Sequence, residues 1–571
     1  MKKLYLFVLM LAASLTASAE VIPMARAKAE AERFLKEMAP SRSPQLKLLF
    51  EEPRMTKAGP TEPEYFIFED AAGGYVISAG DDAVPSVLGY STSGSFRTAG
   101  MPDNLRAWLD MWSEIVDDAR LRDAAPYPVQ TKGGGTSKLL ETALWDQGDP
   151  FNRHCIEVDG GVSVTGCVAT ATAILMRYHK WPKKGKGTIP SYTFSYKGKT
   201  YTPSAITLGH TYEWDNMPLT KYANDWSEAQ IEAVSVLMQE LGVMVQAEYS
   251  PEGTSASTAD VGPGLVKYMD YDKANIHESK ALYPDVNDWV RRIKSNIDEV
   301  GPVLYRATSS EGGHAFILDG YDENDYLHIN WGWSGSNNGY YVMPSFNEYT
   351  SGHGATFGLK KNAGGVAPED LRLYNMGISA STTEFSVGVP FTVSCRSLAN
   401  YGADTFVGEV AFAKFDRDGK MEELVSESNE ISIDHYIVYT FTNVPCVINT
   451  PIKPGDVVKL VYRSASTPSW TEVRYDREEM IIGEIAVGDS VFLENIVALS
   501  YDASTGILTV SFSDEAGCEL RRGKTAVRDG VSDKGDTVTI DAKRLAPASY
   551  TLHLYRDTQE KDITIKMGLK K

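Results

Sequence analysis

The chain has 571 residues, room for three or four domains of ordinary size, and its 43% hydrophobic and 23% charged residues are those of a globular protein. A formal net charge of −20 at pH 7 excludes nucleic acid and acidic membrane surfaces as main partners, since both would repel it. After the leading apolar run no stretch is long and apolar enough for a transmembrane helix, so no transmembrane segment is expected.

Residues 1–19 begin with Lys2-Lys3, run apolar from Leu4 to Leu15 and close on Ala17-Ser18-Ala19. This is the pattern of a signal peptide cut after Ala19, so the protein is expected to be secreted, whether released, periplasmic or held at the cell surface. No cysteine follows the cut to carry a lipid. The five cysteines, Cys155, Cys167, Cys395, Cys446 and Cys518, are too few for a disulfide scaffold, and their odd number leaves at least one thiol unpaired. Cys395 and Cys446 lie in strand-like surroundings where a bridge is one option that geometry must decide. Cys167 is the candidate for the free thiol.

In chain order, residues 23–38 form a short amphipathic helix, and residues 65–68 and 74–79 form a hairpin around Asp70-Ala71-Ala72-Gly73. Pro102-Asp103 opens a helix with Leu105, Trp108, Leu109, Trp112, Ile115 and Val116 on one face. Residues 20–121 thus make a small α+β unit. A Pro- and Gly-rich linker follows, including Thr131-Lys132-Gly133-Gly134-Gly135, which suits either a protease-sensitive propeptide junction or a plain interdomain linker. Residues 144–361 mix helices with strands. A helix is expected behind Cys167, others over 226–243 and 288–297, and strands over 303–306, 314–321, 326–331 and 340–343. The acidic turn Asp322-Glu323-Asn324-Asp325 lacks the ligand spacing of an EF-hand and reads as turn chemistry. Past Gly364 the helical signal stops, and residues 366–487 and 488–571 read as two β-sandwich-like domains without a nucleophile and partner.

The chemistry centres on Thr165-Gly166-Cys167-Val168-Ala169-Thr170-Ala171-Thr172-Ala173. A cysteine in the first turn of a helix meets unsatisfied N–H groups and the positive end of the dipole, which favour its thiolate, although a buried structural cysteine is the other reading of such a run. A thiolate nucleophile needs a base, a group to orient that base, and donors for the oxyanion. His314, behind the paired Gly312-Gly313 and 147 residues after Cys167, is the candidate base, against a merely structural histidine. Asn330, on the next strand, is the candidate to hold the imidazole, with Trp331 shielding that contact, and both also suit a strand end and a core. Gln147 is the candidate side-chain donor to the oxyanion, together with the Cys167 N–H. A zinc site on His154, Cys155, Cys167 and His179 is rejected because the spacing fits no common ligand pattern, so neither metal nor cofactor is expected.

The motifs Trp145-Asp146-Gln147, Thr165-Gly166-Cys167, Tyr178-His179, Gly312-Gly313-His314-Ala315-Phe316 and His328-Ile329-Asn330-Trp331-Gly332-Trp333 together resemble the streptopain (C10) family of secreted bacterial cysteine peptidases. The leading unit, with Gly74-Tyr75-Val76-Ile77-Ser78 and the helix after Pro102, resembles that family's inhibitory propeptide. The resemblance implies an α+β, papain-like peptidase domain over 132–365, a propeptide with linker over 20–131, and the β domains behind. It also implies protein or peptide substrates, inhibition by the chain's own propeptide, and preference for a hydrophobic side chain two residues before the cut. Ser255 and Gly313 match positions bordering the family's substrate groove. Two departures stand out: a shortened Gly-rich loop at Glu348-Tyr349-Thr350-Ser351-Gly352-His353-Gly354, and β domains that streptopain itself lacks. A Cys-His acyltransferase or amidase of transglutaminase type, and a surface adhesin with an inert papain-like domain, are the rival functions.

Overall fold

The computed structural model describes residues 19–567 except 52–54, 57–58, 61, 123, 129–134, 284, 310–311, 346–349, 351, 374–375, 383–384, 386, 454, 476–480, 483–495, 503–506, 513–516, 523–524, 532–536, 542–547 and 557–558. Residues 1–18 of the expected signal peptide, residues 129–134 of the linker, and Glu348, Tyr349 and Ser351 of the shortened loop lie outside the described residues. The chain divides into one unit reaching Asp370, joined by Tyr401–Asp404, and a second made of Leu371–Asn400 and Thr405 onward.

In the first unit, α1 spans Met24–Met38 and α2 spans Asp103–Leu121, as their apolar spacing predicts. The hairpin expected there forms from Tyr65–Asp70 and Tyr75–Ala79 and is buried on both faces. The reason is that α1 packs across it with Ala27, Ala31 and Leu35 while further core covers the other side. Val87–Ser91 continues this antiparallel sheet and pairs directly with Gly339–Tyr341, matching Tyr90 to Tyr340 and Gly89 to Tyr341. The leading unit and the following domain therefore share one 11-stranded sheet. Beyond the seam it runs through Leu327–Asn330, Gly312–Tyr321, Val303–Ser309, Gly354–Phe357 and Ile276–Ser279, with Lys138–Leu139 paired to Gly312–Tyr321.

Glycine makes the seam close. A Cβ on Gly89 would stand 2.6 Å from the Tyr341 ring, and one on Gly339 would stand 2.6 Å from the Tyr75 hydroxyl. In the space left, Tyr75 Oη donates to the Asn337 carbonyl at 2.8 Å and lies 2.9 Å from Tyr341 Oη.

On the opposite face a second core forms around α3 (Cys167–His179), α4 (Glu228–Met244) and α5 (Val261–Tyr268). Ser227 and Gln230 close a capping box on α4, which starts two residues later than the sequence suggested. The pattern Val261-Gly262-Pro263-Gly264 hid α5, because glycine and proline read as breakers. Both glycines answer to packing: a Cβ on Gly262 would meet Asn275 Oδ1 at 2.2 Å, and one on Gly264 would meet Met244 Cγ at 2.9 Å. Then α6 (Val286–Glu299) lies against the other core, burying Trp289, Val290, Ile293 and Ile297.

The second unit holds a four-stranded sheet around Phe391–Asn400 and a five-stranded sheet around Phe406–Phe415, with their apolar faces in one core. Behind them come a three-stranded sheet centred on Ile507–Phe512 and a four-stranded sheet containing Gly517–Arg522 and Ala548–Arg556. Cys395 and Cys446 occupy paired strands, yet Cys395 faces Phe441 while Cys446 faces Phe391, so the two thiols are out of register and unbridged. The Asp322 turn is turn chemistry: its Oδ1 accepts from the N–H groups of Asn324 and Tyr326, and its Oδ2 accepts from Tyr90 Oη at 2.6 Å. No helix among the described residues is long and apolar enough to cross a membrane.

Candidate active site

Cys167 is the first residue of α3, as its place after Gly166 predicts. Gly166 has φ +85°, and a Cβ there would meet the Thr254 carbonyl at 2.9 Å, so only glycine lets the chain turn into the helix against the 250–255 loop. Behind Cys167, Ala169, Thr170, Ala171, Thr172 and Ala173 are all buried, and their small size brings α3 against the strand Gly312–Tyr321. The Ala315 N–H donates to Cys167 Sγ at 3.3 Å.

The sulfur is enclosed even though Cys167 as a residue keeps some exposure. Desolvation pushes its thiol pKa above the usual value and outweighs the N–H groups of Ala315, Val168 and Cys167, which favour the thiolate. Burial thus opposes the thiolate that helix position alone favours. Burial pushes Cys155, Cys446 and Cys518 up to about 12 and Cys395 to about 11.

His314 is half-buried on the same strand and pairs with Ala307. Ala315 and Ile317 point into the α3 core, whereas Phe316 and Leu318 point into the core of α2. Pairing is regular from Val303↔Leu318 to Ser309↔Gly312, so strand alternation gives His314 to the Phe316 side. Asn330 pairs with Ile317 and shares its face. Alternation thus sets His314 on the face opposite Asn330, while the Cys167 sulfur lies beside the strand, where the Ala315 N–H points. The Asn330 amide donates to Thr142 Oγ1 and to the Ala143 carbonyl, both at 3.0 Å, and its Oδ1 accepts from the Gly332 N–H at 3.1 Å.

Gln147 is drawn toward the start of α3 by its backbone. Its carbonyl accepts from Thr165 N–H at 3.0 Å, while Trp145, fully buried, anchors the approach by donating from Nε1 to the Pro218 carbonyl. Ser255 follows Thr254, the residue packed on Gly166, and exchanges two backbone hydrogen bonds with Glu248. Gly313 is exposed and pairs with Thr308. Trp331 is buried, donates from Nε1 to the Asn337 carbonyl at 3.0 Å, and packs on Phe316 and on Trp108 of α2.

The α2 side of this sheet holds what sequence reasoning missed. Asn104 Nδ2 donates to the Trp331 carbonyl at 2.9 Å, and the Trp108 ring packs on Phe316, Trp331 and His353. Trp108 was legible as core but not as a contact with the Cys167 domain. Asn104 and His353 carried no signal of their own. His353 Nδ1 lies 2.9 Å from Tyr305 Oη, and burial first, then the Lys280 and Arg306 cations, push its pKa down to about 3.

A neutral buried histidine has a pH signature. In the unfolded chain the group titrates near 6.5, so the folded state loses stability as pH falls from there toward 3. The expected loss from His353 is about 2 kcal/mol by pH 5. Thermal midpoints of the full chain as Cys167→Ala should fall between pH 7 and 5, and adding His353→Asn should flatten that slope. An unchanged slope would remove His353 from the account.

Residues 145–341 match the Peptidase C10 family, and residues 18–116 match the Spi protease inhibitor family. The chain is 28% identical over 488 residues to the thiol protease/hemagglutinin PrtT of Porphyromonas gingivalis, which covers 79% of this chain and 55% of that protein. It therefore spans little more than half the length of that relative. It is 30% identical over 312 residues to streptopain of Streptococcus pyogenes, covering 51% of this chain and 77% of streptopain. Among solved structures it is similar to a prointerpain A fragment of Prevotella intermedia, at 29% identity and a TM-score of 0.46, covering 55% of this chain and 99% of the fragment. With matches across both the Cys167 domain and the leading unit, the chain belongs to the peptidase C10 family of cysteine peptidases.

Proposed function

We propose that this chain is the zymogen of an exported cysteine endopeptidase, held silent by its own residues 20–131. The observation that carries this reading is the propeptide helix packed on the strand that holds His314 and Ala315. The Ala315 N–H meets the Cys167 sulfur beside the strand, while Phe316, the next residue, is covered by Trp108 of the propeptide helix. By strand alternation His314 shares the Phe316 face, which the propeptide helix covers. Removing residues up to the Gly-rich linker uncovers that face and opens His314 and Cys167 to substrate.

In the mature enzyme Cys167 attacks the peptide carbonyl as a thiolate. His314 takes its proton and returns it to the leaving amine. The Gln147 amide and the Cys167 N–H hold the oxyanion, one such donor lowering the barrier by about 2.7–4 kcal/mol. Asn330 Oδ1 orients the imidazole, and Trp331 closes over it. Ser255 and Gly313 border the groove, with a hydrophobic residue favoured two positions before the cut.

The test is hydrolysis against transfer. Under reducing conditions the matured protein should cleave casein, and it should cut peptides faster when the residue two before the scissile bond is Val or Leu than when it is Asp. Incorporation of a primary amine without hydrolysis would establish the transglutaminase-type rival. Neither activity, with no reaction of Cys167 toward an epoxide inhibitor, would leave the adhesin.

A further inference from the structure

A chain of buried hydrogen bonds runs from the surface to Asn330. His328 Nδ1 lies 2.5 Å from Asp319 Oδ1, the Thr142 hydroxyl bonds Asp319 Oδ2, and Asn330 Nδ2 bonds Thr142 Oγ1 at 3.0 Å. Asp319, Asn330 and Thr142 are buried, at 2%, 1% and 8% exposure, so water does not offer the alternative partners that would blur the directions of these bonds. Asn330 lies on the α3 side of the sheet, where it pairs with Ile317.

The directions are forced one by one. A carboxylate only accepts, so Thr142 must donate its single hydroxyl proton to Asp319. Thr142 Oγ1 is then left with lone pairs and must receive the Asn330 N–H. The second amide proton goes to the Ala143 carbonyl, another pure acceptor, and Oδ1 faces the Gly332 N–H, a pure donor. A flipped amide would set carbonyl against carbonyl at Ala143 and N–H against N–H at Gly332. Asn330 therefore keeps its nitrogen turned inward and its oxygen, with one lone pair to spare, on the Gly332 side.

We propose that Thr142 and Asp319 are positioning residues that fix the Asn330 amide with Oδ1 as the end offered to the His314 N–H. This rests on the reading of Asn330 as the group that orients the imidazole. Thr142 stands just after the expected propeptide junction, and Leu140 N–H donates to the Asp319 carbonyl at 2.8 Å, so the first segment of the mature domain is built into the site. Asp319 is the one acid inside the apolar run Ala315–Leu318 and Gly320-Tyr321 after His314.

The test is a double-mutant cycle on full chains matured by immobilised wild-type enzyme that is then removed, read as kcat and KM on a fluorogenic peptide. Thr142→Val should lower kcat about 10-fold or more with KM within about 2-fold, and Thr142→Ser should restore it. In an Asn330→Ala background Thr142→Val should change nothing further. If Thr142→Val does not fold, judged by its thermal midpoint, the isosteric Asp319→Asn carries the same cycle. Equal losses in both backgrounds would overturn the positioning role while leaving Asn330 as the orienting group. An Asn330→Ala enzyme with wild-type kcat would overturn the reading of Asn330 itself, and this inference with it.

Discussion

Replacing Cys167 by alanine should lower peptide hydrolysis by about 10⁶-fold, the scale on which loss of a nucleophile acts, and should stop self-maturation in the same protein. His314→Ala should cost a similar factor, because a thiol whose pKa burial has raised is a poor nucleophile until a base takes its proton. The two losses should not add: with either group gone, the other has nothing to act on. Neither substitution should alter the fold. Cys167 sits at a helix start with some exposure, and His314 is half-buried near a strand end, so circular dichroism and thermal midpoints separate lost chemistry from lost structure. A Cys167→Ala protein that hydrolyses casein at the wild-type rate would place the nucleophile elsewhere.

The second large effect is expected at Trp108, which touches no reacting atom. Its indole is 2% exposed and packs between α2 and Phe316, Trp331 and His353 of the peptidase domain. Truncating a buried tryptophan to alanine costs about 3–5 kcal/mol. Here that loss falls on the contact between propeptide and sheet. Opening of the propeptide should become about 10²- to 10⁴-fold more frequent, and self-processing of the full chain under reducing conditions should accelerate accordingly. Asn104→Ala should act in the same direction and more weakly, since it removes one buried hydrogen bond to the Trp331 carbonyl. Time courses of intact mass check both. Unchanged processing in Trp108→Ala would mean that this contact does not hold the zymogen closed.

Much of this was legible from periodicity. The apolar face of residues 103–121 and the small residues behind Cys167 mark α2 and α3 because each repeats at helical spacing. Three features were not. A helix at Val261–Tyr268 hid behind Gly262, Pro263 and Gly264, whose use is set by neighbours far along the chain. The pairing of Val87–Ser91 with Gly339–Tyr341 joins segments about 250 residues apart, and short strands carry no mark of their partner. Register was the third. The strands of His314 and Asn330 do pair, as their sequences suggest, but the pairing begins at Ile317 opposite Asn330. A side-chain period of two then sets the face of each residue, and an odd separation between His314 and Ile317 puts the imidazole opposite the amide. Strand parity and the seat of α2 on this sheet are both set by distant pairing, and neither is written locally.

The central claim is that Cys167 is the nucleophile and that the propeptide keeps it unreactive. The most direct measurement is mapping, by mass spectrometry, of an epoxide inhibitor of cysteine peptidases after brief exposure of the full chain and of the matured protein at neutral pH. The account predicts one adduct, on Cys167, forming at least about 10²-fold faster after maturation, with Cys155, Cys395, Cys446 and Cys518 unmodified because burial holds their thiols protonated. Equal labelling of Cys167 before and after maturation, or an active mature enzyme that carries no adduct there, would contradict it.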